Sequence, residues 1–241
     1  AAVLLSTAEN VSGSGITELN SWGEDDAVIV GGNSLQLEPG ISDGDFGLLF
    51  SLNELADDGE VNINAIHYVA TDLTIGGSNS ITLNKGDVLL SLNDDESFGG
   101  GSFSVNKNNV FVYRPAGTVG YDVGTFELVL DFDSPGITDL DLAFDNLTSI
   151  SLVESQTNVG DVTISQGDFL FTSNLDNNSV YLFQNSDVGT GTTPGDAEIL
   201  INGDDIGLTG GINGVELVEN SINIGGQIVN SGTILIATGD A

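Results

Sequence analysis

The chain has no cysteine and no methionine among its 241 residues, one histidine, four prolines and only three basic side chains, Lys85, Lys107 and Arg114. Each scarcity excludes something. Without cysteine there is no disulfide and no thiolate metal site. Without methionine, residue 1 is not an initiator, so the expectation is a mature product after leader removal or an excised piece. Three basic residues against 36 Asp and Glu give a formal charge of −33, where small soluble domains carry a magnitude of about 2–8. A chain so short of Lys and Arg is a poor partner for nucleic acid or anionic membranes, both of which need phosphate neutralised. No apolar run approaches the roughly 18 residues of a membrane-spanning helix. Catalysis has few raw materials. A Ser-His-Asp relay would have to use His67, a lone strand histidine that reads as structural, and no Gly-x-Ser-x-Gly elbow surrounds a serine. Gly-rich stretches such as Gly99-Gly100-Gly101 have no Lys-Ser/Thr pair after them, so there is no phosphate-cradling loop.

What is present is repetition. Gly86-Asp87-Val88-Leu89-Leu90-Ser91 returns as Gly167-Asp168-Phe169-Leu170-Phe171-Thr172 and as Gly232-Thr233-Ile234-Leu235-Ile236-Ala237, and Ala1-Ala2-Val3-Leu4-Leu5-Ser6 opens the chain with a fourth copy. Short apolar runs entered through Gly-Asp and left through Asn, Asp or Gly read as buried strands between turns. A second strand follows each of the first three copies after an acidic or amide turn: Glu24-Asp25-Asp26, Lys107-Asn108-Asn109 and Asp176-Asn177-Asn178. A third segment lies at 46–52, 126–130 and 197–201, and a fourth at 64–69, 149–153 and 215–218. A short hinge of alternating β-branched residues leads into the next copy, as in Ile81-Thr82-Leu83-Asn84-Lys85-Gly86. No helical period is sustained. The expected fold is all-β, three tandem antiparallel-sheet repeats at 1–85, 86–166 and 167–231, blade-like or sandwich-like, with an extra first strand at 232–241.

The order of Gly86-Asp87-Val88-Leu89-Leu90-Ser91, an acidic turn, a second strand and then the Asp-Gly-rich Asn202-Gly203-Asp204-Asp205-Ile206-Gly207-Leu208-Thr209 resembles the propeller-like tandem repeats of large secreted bacterial surface proteins that also carry cadherin-like or RTX modules. The resemblance covers most of 86–220 and, more loosely, 1–70. It implies an extracellular, non-catalytic module. Two departures stand out: the first unit offers 53–60 in place of the Asp-Gly-rich segment, and three units are fewer than the four to eight blades of a closed propeller.

The acids cluster in turns. Asp131, Asp133, Asp139 and Asp141 surround Pro135-Gly136. Against an EF-type loop the carboxylates fall at positions one, three and nine and the glycine at six, but Leu142 stands where a bidentate Glu belongs. Asp204 and Asp205 hold the matching place in the third unit; Asp94 and Asp95, Asp43 and Asp45, and Asp57, Asp58 and Glu60 are further candidates. Hard cations want six to eight oxygens, and self-repulsion on this scale opposes a compact state unless cations bind, so calcium is the expected cofactor. The competing reading is that these are turn residues, favoured there on conformational grounds. Trp22, in Asn20-Ser21-Trp22-Gly23-Glu24, is a candidate recognition residue for carbohydrate. The duplicated strand Ile234, Leu235, Ile236 is the set-up for strand addition between chains. The function read from all this is a secreted, self-assembling structural subunit of a matrix, filament or surface layer, stabilised by calcium. An adhesion module binding carbohydrate or a surface protein is the alternative, and a glycoside hydrolase the third reading.

Overall fold

The computed structural model describes residues 3–7, 9–13, 19–38, 41–59, 61–116, 121–133, 137–138, 146–174, 176–189, 193–208 and 210–239, with backbone alone for 31–38, 41–44 and 137–138. Among these residues the chain is all-β, with two short 3-10 turns, Leu52–Glu54 and Gly203–Ile206, and no α-helix.

Its strands follow one another in a fixed rhythm. The first sheet holds β1 (Val3–Leu5), β4 (Asp26–Glu38) and β5 (Ile41–Ser51), with a small ribbon of β2 (Val11–Ser12) and β3 (Ser21–Trp22) between β1 and β4 in sequence. The second is built from β6 (Ile63–Tyr68), β9 (Val88–Leu92), β12 (Asn109–Pro115) and β13 (Gly124–Asp131), side by side in that order. Two ribbons sit in its connections, β7 (Leu73–Gly76) with β8 (Ser80–Leu83), and β10 (Glu96–Phe98) with β11 (Phe103–Val105). The third repeats the scheme with β15 (Leu147–Leu152), β18 (Phe169–Ser173), β19 (Ser179–Asn185) and β20 (Gly195–Asn202). The short β14 (Ile137–Thr138) runs parallel to β20, and β16 (Thr157–Val159) pairs with β17 (Val162–Ile164). The last sheet has two strands, β21 (Ile212–Val218) and β24 (Thr233–Thr238), joined through the ribbon of β22 (Ile222–Ile224) and β23 (Gln227–Val229).

The sheets straddle the units read from the sequence. β6 belongs to the first unit but pairs with β9 of the second, and β15 of the second pairs with β18 of the third. The physical reason lies in the hinge. Asn84-Lys85-Gly86-Asp87 and Ser165-Gln166-Gly167-Asp168 are turns whose glycines take φ of 100° and 93°, the position that favours glycine. In each, the Asp side chain accepts the amide N–H of the first turn residue, at 2.9 Å from Asn84 and 2.8 Å from Ser165. The glycine N–H then reaches back to the strand before, to the Val69 carbonyl in one case and the Val153 carbonyl in the other. A turn held this way stitches the strand that closes one unit to the strand that opens the next.

Apolar side chains on alternate faces stack the sheets in chain order. Ala27, Phe50 and Leu52 of the first pack with Val88, Leu90, Phe111 and Tyr113 of the second. Leu89, Val110 and Val112, on the opposite face, meet Phe169, Phe171, Tyr181 and Phe183 of the third. Leu170, Val180 and Leu182 then meet Val215, Leu217, Ile234 and Ile236 of the last. At roughly 25 cal/mol per Å² of apolar surface removed from water, these three inter-sheet layers are the main source of stability.

Candidate functional site

The strands that open or close each sheet, β1, β6, β15, β21 and β24, converge on one cleft of about 580 Å³. Its walls include Val3, Leu5, Leu235 and Ala237, and His67, Glu154 and Glu216 line it too. The cleft is therefore apolar at its rim and acidic where the consecutive sheets meet.

His67 sits on β6, buried at 6% exposure. The bulge between Ile63 and Ala65 sets the facing of the strand, so that Ile66 points toward the first sheet while His67 turns to the third. Its Nε2 lies 3.4 Å from Glu154, just after β15, and its Nδ1 lies 3.6 Å from Glu216 on β21. One imidazole thus touches acids from two other sheets. Nδ1 faces two claims. The Leu152 N–H at 3.4 Å needs an unprotonated nitrogen, and the Glu216 carboxylate needs a protonated one. Burial works against the charged ring, yet the Glu154 and Glu216 carboxylates beside it outweigh it and push the pKa up to about 9. The carboxylates prevail because two charges outweigh one long amide contact. Nε2 makes no well-aligned hydrogen bond, so its tie to Glu154 is an ion pair.

Glu154 is anchored from the other side by the N–H groups of Ala70 and Thr71, at 2.7 and 2.6 Å, and by the Thr71 hydroxyl at 2.7 Å. Burial works to raise its pKa, but His67 and those donors outweigh it and hold it below the usual carboxylate value. Glu219 goes the other way. Burial raises it, although it accepts from the Glu154 N–H and from Ser155 Oγ at 2.7 Å. The arrangement can hold one proton between sheets and present negative charge to an apolar cleft. Only His67 of this cluster stood out in the sequence; its partners lie 87 and 149 positions further along, where no local pattern points.

The acidic turns are mostly engaged by the chain itself. Asp131 accepts from the Asn109 side chain at 3.1 Å, and Asp133 from Asn108 and Asn106 at 2.8 and 2.9 Å. Asp204 accepts from Asn178 at 2.8 Å, the same amide-to-carboxylate clamp one sheet later. Asp139 and Asp141, with Glu60, lie outside the described residues. Asp94 accepts from Asn93 at 3.3 Å, Asp95 from the Lys107 N–H at 3.3 Å, and Asp205 stands in the first turn of the Gly203–Ile206 3-10 helix. Asp57, Asp58, Asp95 and Glu96 border a second, open depression. Burial and the neighbouring Asp58 and Asp94 raise the pKa of Glu96 there, against the Ser97 N–H that lowers it. Among the described residues no group of three or more His, Asp or Glu is arranged to hold a metal ion. Trp22 packs, half-buried, against the cluster of Leu19, Val28 and Val30, as Phe46 does. It ends its ribbon ahead of the Asp26 turn as buried Val105 ends another ahead of the Asn109 turn.

The last candidate element is the duplicated strand. β24 pairs with β21 on one edge, Leu235 opposite Glu216 and Ile234 opposite Leu217. Among the described residues its other edge carries no strand. Among the described residues β1 pairs with β4 alone. No protein-family model matches the chain, and neither does any curated protein or solved structure. Among the described residues no helix is long and apolar enough to cross a membrane.

Proposed function

We propose that the chain is a non-enzymatic structural module that assembles with copies of itself outside the cell. The observation that carries this reading is the open edge of β24, six residues without charge or proline. Sheet edges left in that state template pairing with another chain; proteins that stay monomeric blunt them with Lys, Pro or bulges. The equivalent strands β9 and β18 have neighbours on both sides, which is the condition β24 would reach by assembly.

Calcium belongs to the same proposal. A net charge of −33 opposes any close approach of two copies unless counter-ions bind, and the acidic turns offer them oxygen. Light scattering on a size-exclusion column tests the reading directly. Masses above the 24.8 kDa of one chain are expected in millimolar calcium, with a loss of mass and of melting temperature in EDTA. A 24.8 kDa species in both buffers with one melting temperature would refute it.

The cleft supports a second reading, an adhesion module for a surface protein or carbohydrate. Apolar walls around Glu216, whose side chain is half-exposed, fit an apolar group that carries a positive charge. A glycan array and a set of basic peptides would separate the two, with Glu216→Gln as the binding control.

A further inference from the structure

We infer that two copies exchange β24, each inserting it beside β4 of the other in the place that β1 holds here. The inference rests on the assembly reading above and names its interface. The two complete sheets supply the template. In them the first strand lies between the closing strand and the second strand, with Val88 opposite Tyr113, Leu89 opposite Val112 and Leu90 opposite Phe111. β1 reproduces that register on β4, with Val3 opposite Val30, Leu4 opposite Ile29 and Leu5 opposite Val28. The sequence repeat aligns Ile234, Leu235 and Ile236 with Val88, Leu89 and Leu90. Exchange therefore sets Ile234 against Val30, Leu235 against Ile29 and Ile236 against Val28 of the other chain.

β1 holds its place weakly. Among the described residues it pairs on one edge only, where β9 pairs on both, and Val3 and Leu5 stay 38% and 42% exposed where Val88 and Leu90 are fully buried. β24 is the longer copy, and Leu235 on its outer face is 39% exposed. The faces agree as well. Leu4 packs toward the second sheet as Leu89 packs toward the third, so Leu235 would enter an existing core. In the same joint sheet, Val28 and Val30 would continue the apolar layer that Ile234 and Ile236 already make with the third sheet. The order β21, β24, β4, β5 then matches the four-stranded second sheet, β6, β9, β12, β13.

The count of sheets favours two chains over one. Exchange within a chain would merge its first and last sheets and leave three sheets around the cleft, fewer than the roughly four to eight with which radial β assemblies close. Exchange between two chains leaves six, inside that range, with the same junction formed twice about a two-fold axis.

The absence of native cysteine makes the test clean. Chains carrying Ile29→Cys and chains carrying Leu235→Cys are mixed, refolded together and oxidised, then run without reducing agent. The expected result is a covalent dimer from the mixture, none from either chain alone, and none when Ile236→Cys replaces Leu235→Cys. Unmodified protein should have twice the mass of one chain, and Leu235→Lys, on an exposed position, should return it to one chain with the same circular-dichroism spectrum and a lower melting temperature, because the interface no longer adds to its stability. Three results would overturn the inference. A doubly substituted chain that cross-links only within itself places the exchange in one molecule. Assembly without the Ile29–Leu235 cross-link leaves the assembly reading standing and removes this interface. A species of single-chain mass that forms no cross-link removes both.

Discussion

At the scale of single residues, the chain uses its few basic groups as clamps. His67 has a pKa raised from 6.5 to about 9 by Glu154 and Glu216 against the opposing effect of burial. A group raised in the folded state contributes stability that is complete below its unfolded pKa and is lost as pH climbs through the folded one. The melting temperature should therefore fall as pH rises from about 7 to 10, and His67→Gln should flatten that fall when thermal unfolding is followed by circular dichroism. Arg114 makes a second clamp, donating to buried Asp87 at 2.6 Å, to Glu127 at 2.7 Å and to the Thr82 carbonyl at 2.9 Å. Gln184 meets Asp168 in the matching place of the third sheet. Arg114→Ala should cost about 2 kcal/mol in denaturant melts, and Arg114→Gln less, because the neighbouring sheet already works with that side chain. Little of this was legible in the sequence. A lone histidine and a lone arginine are visible as rarities, but an ion pair spanning scores of residues follows from sheet stacking, which no local pattern encodes.

At the scale of elements, the strands were legible because period-two patterning and Gly-Asp turns are local. The pairing between strands was not. Apolar runs of four or five residues name a buried strand without naming its neighbour, so the break between units was read at the hinge, where β6 and β9 are in fact joined. The turn acids show the same limit: carboxylates that bind a cation and carboxylates that cap a turn share one composition, and only the Asn donors facing Asp131, Asp133 and Asp204 reveal how these are occupied. One packing device recurs between strands. Gly124 lies beneath the Tyr113 ring, and Gly195 beneath the Phe183 ring, each on the strand next to the aromatic. A methyl at Gly195 would stand 2.5 Å from the ring and 2.7 Å from the Gln184 carbonyl, with nowhere to relax because the strands are paired. Gly124→Ala and Gly195→Ala should each destabilise by about 1–3 kcal/mol through overpacking, measurable in urea melts. Gly100→Ala, which meets no atom but needs φ of 70°, should cost about 1 kcal/mol through backbone strain alone.

At the scale of the whole molecule, charge and connectivity act together. The chain carries a net −33, so stability should rise with salt as repulsion is screened over a Debye length of about 10 Å at 0.1 M, and a melting series in sodium chloride checks this. Calcium should exceed that rise at equal ionic strength if the turns bind it. Connectivity has a consequence for how the chain comes apart. Because every hinge locks one stretch of sequence to the next, no repeat can leave without tearing the sheet of its neighbour. Urea should therefore give a single sharp transition where beads on a string would melt in steps. A protease cut in the exposed turn at 77–79 should yield two fragments that elute together, like the halves of a zip whose teeth stay meshed after the tape is severed.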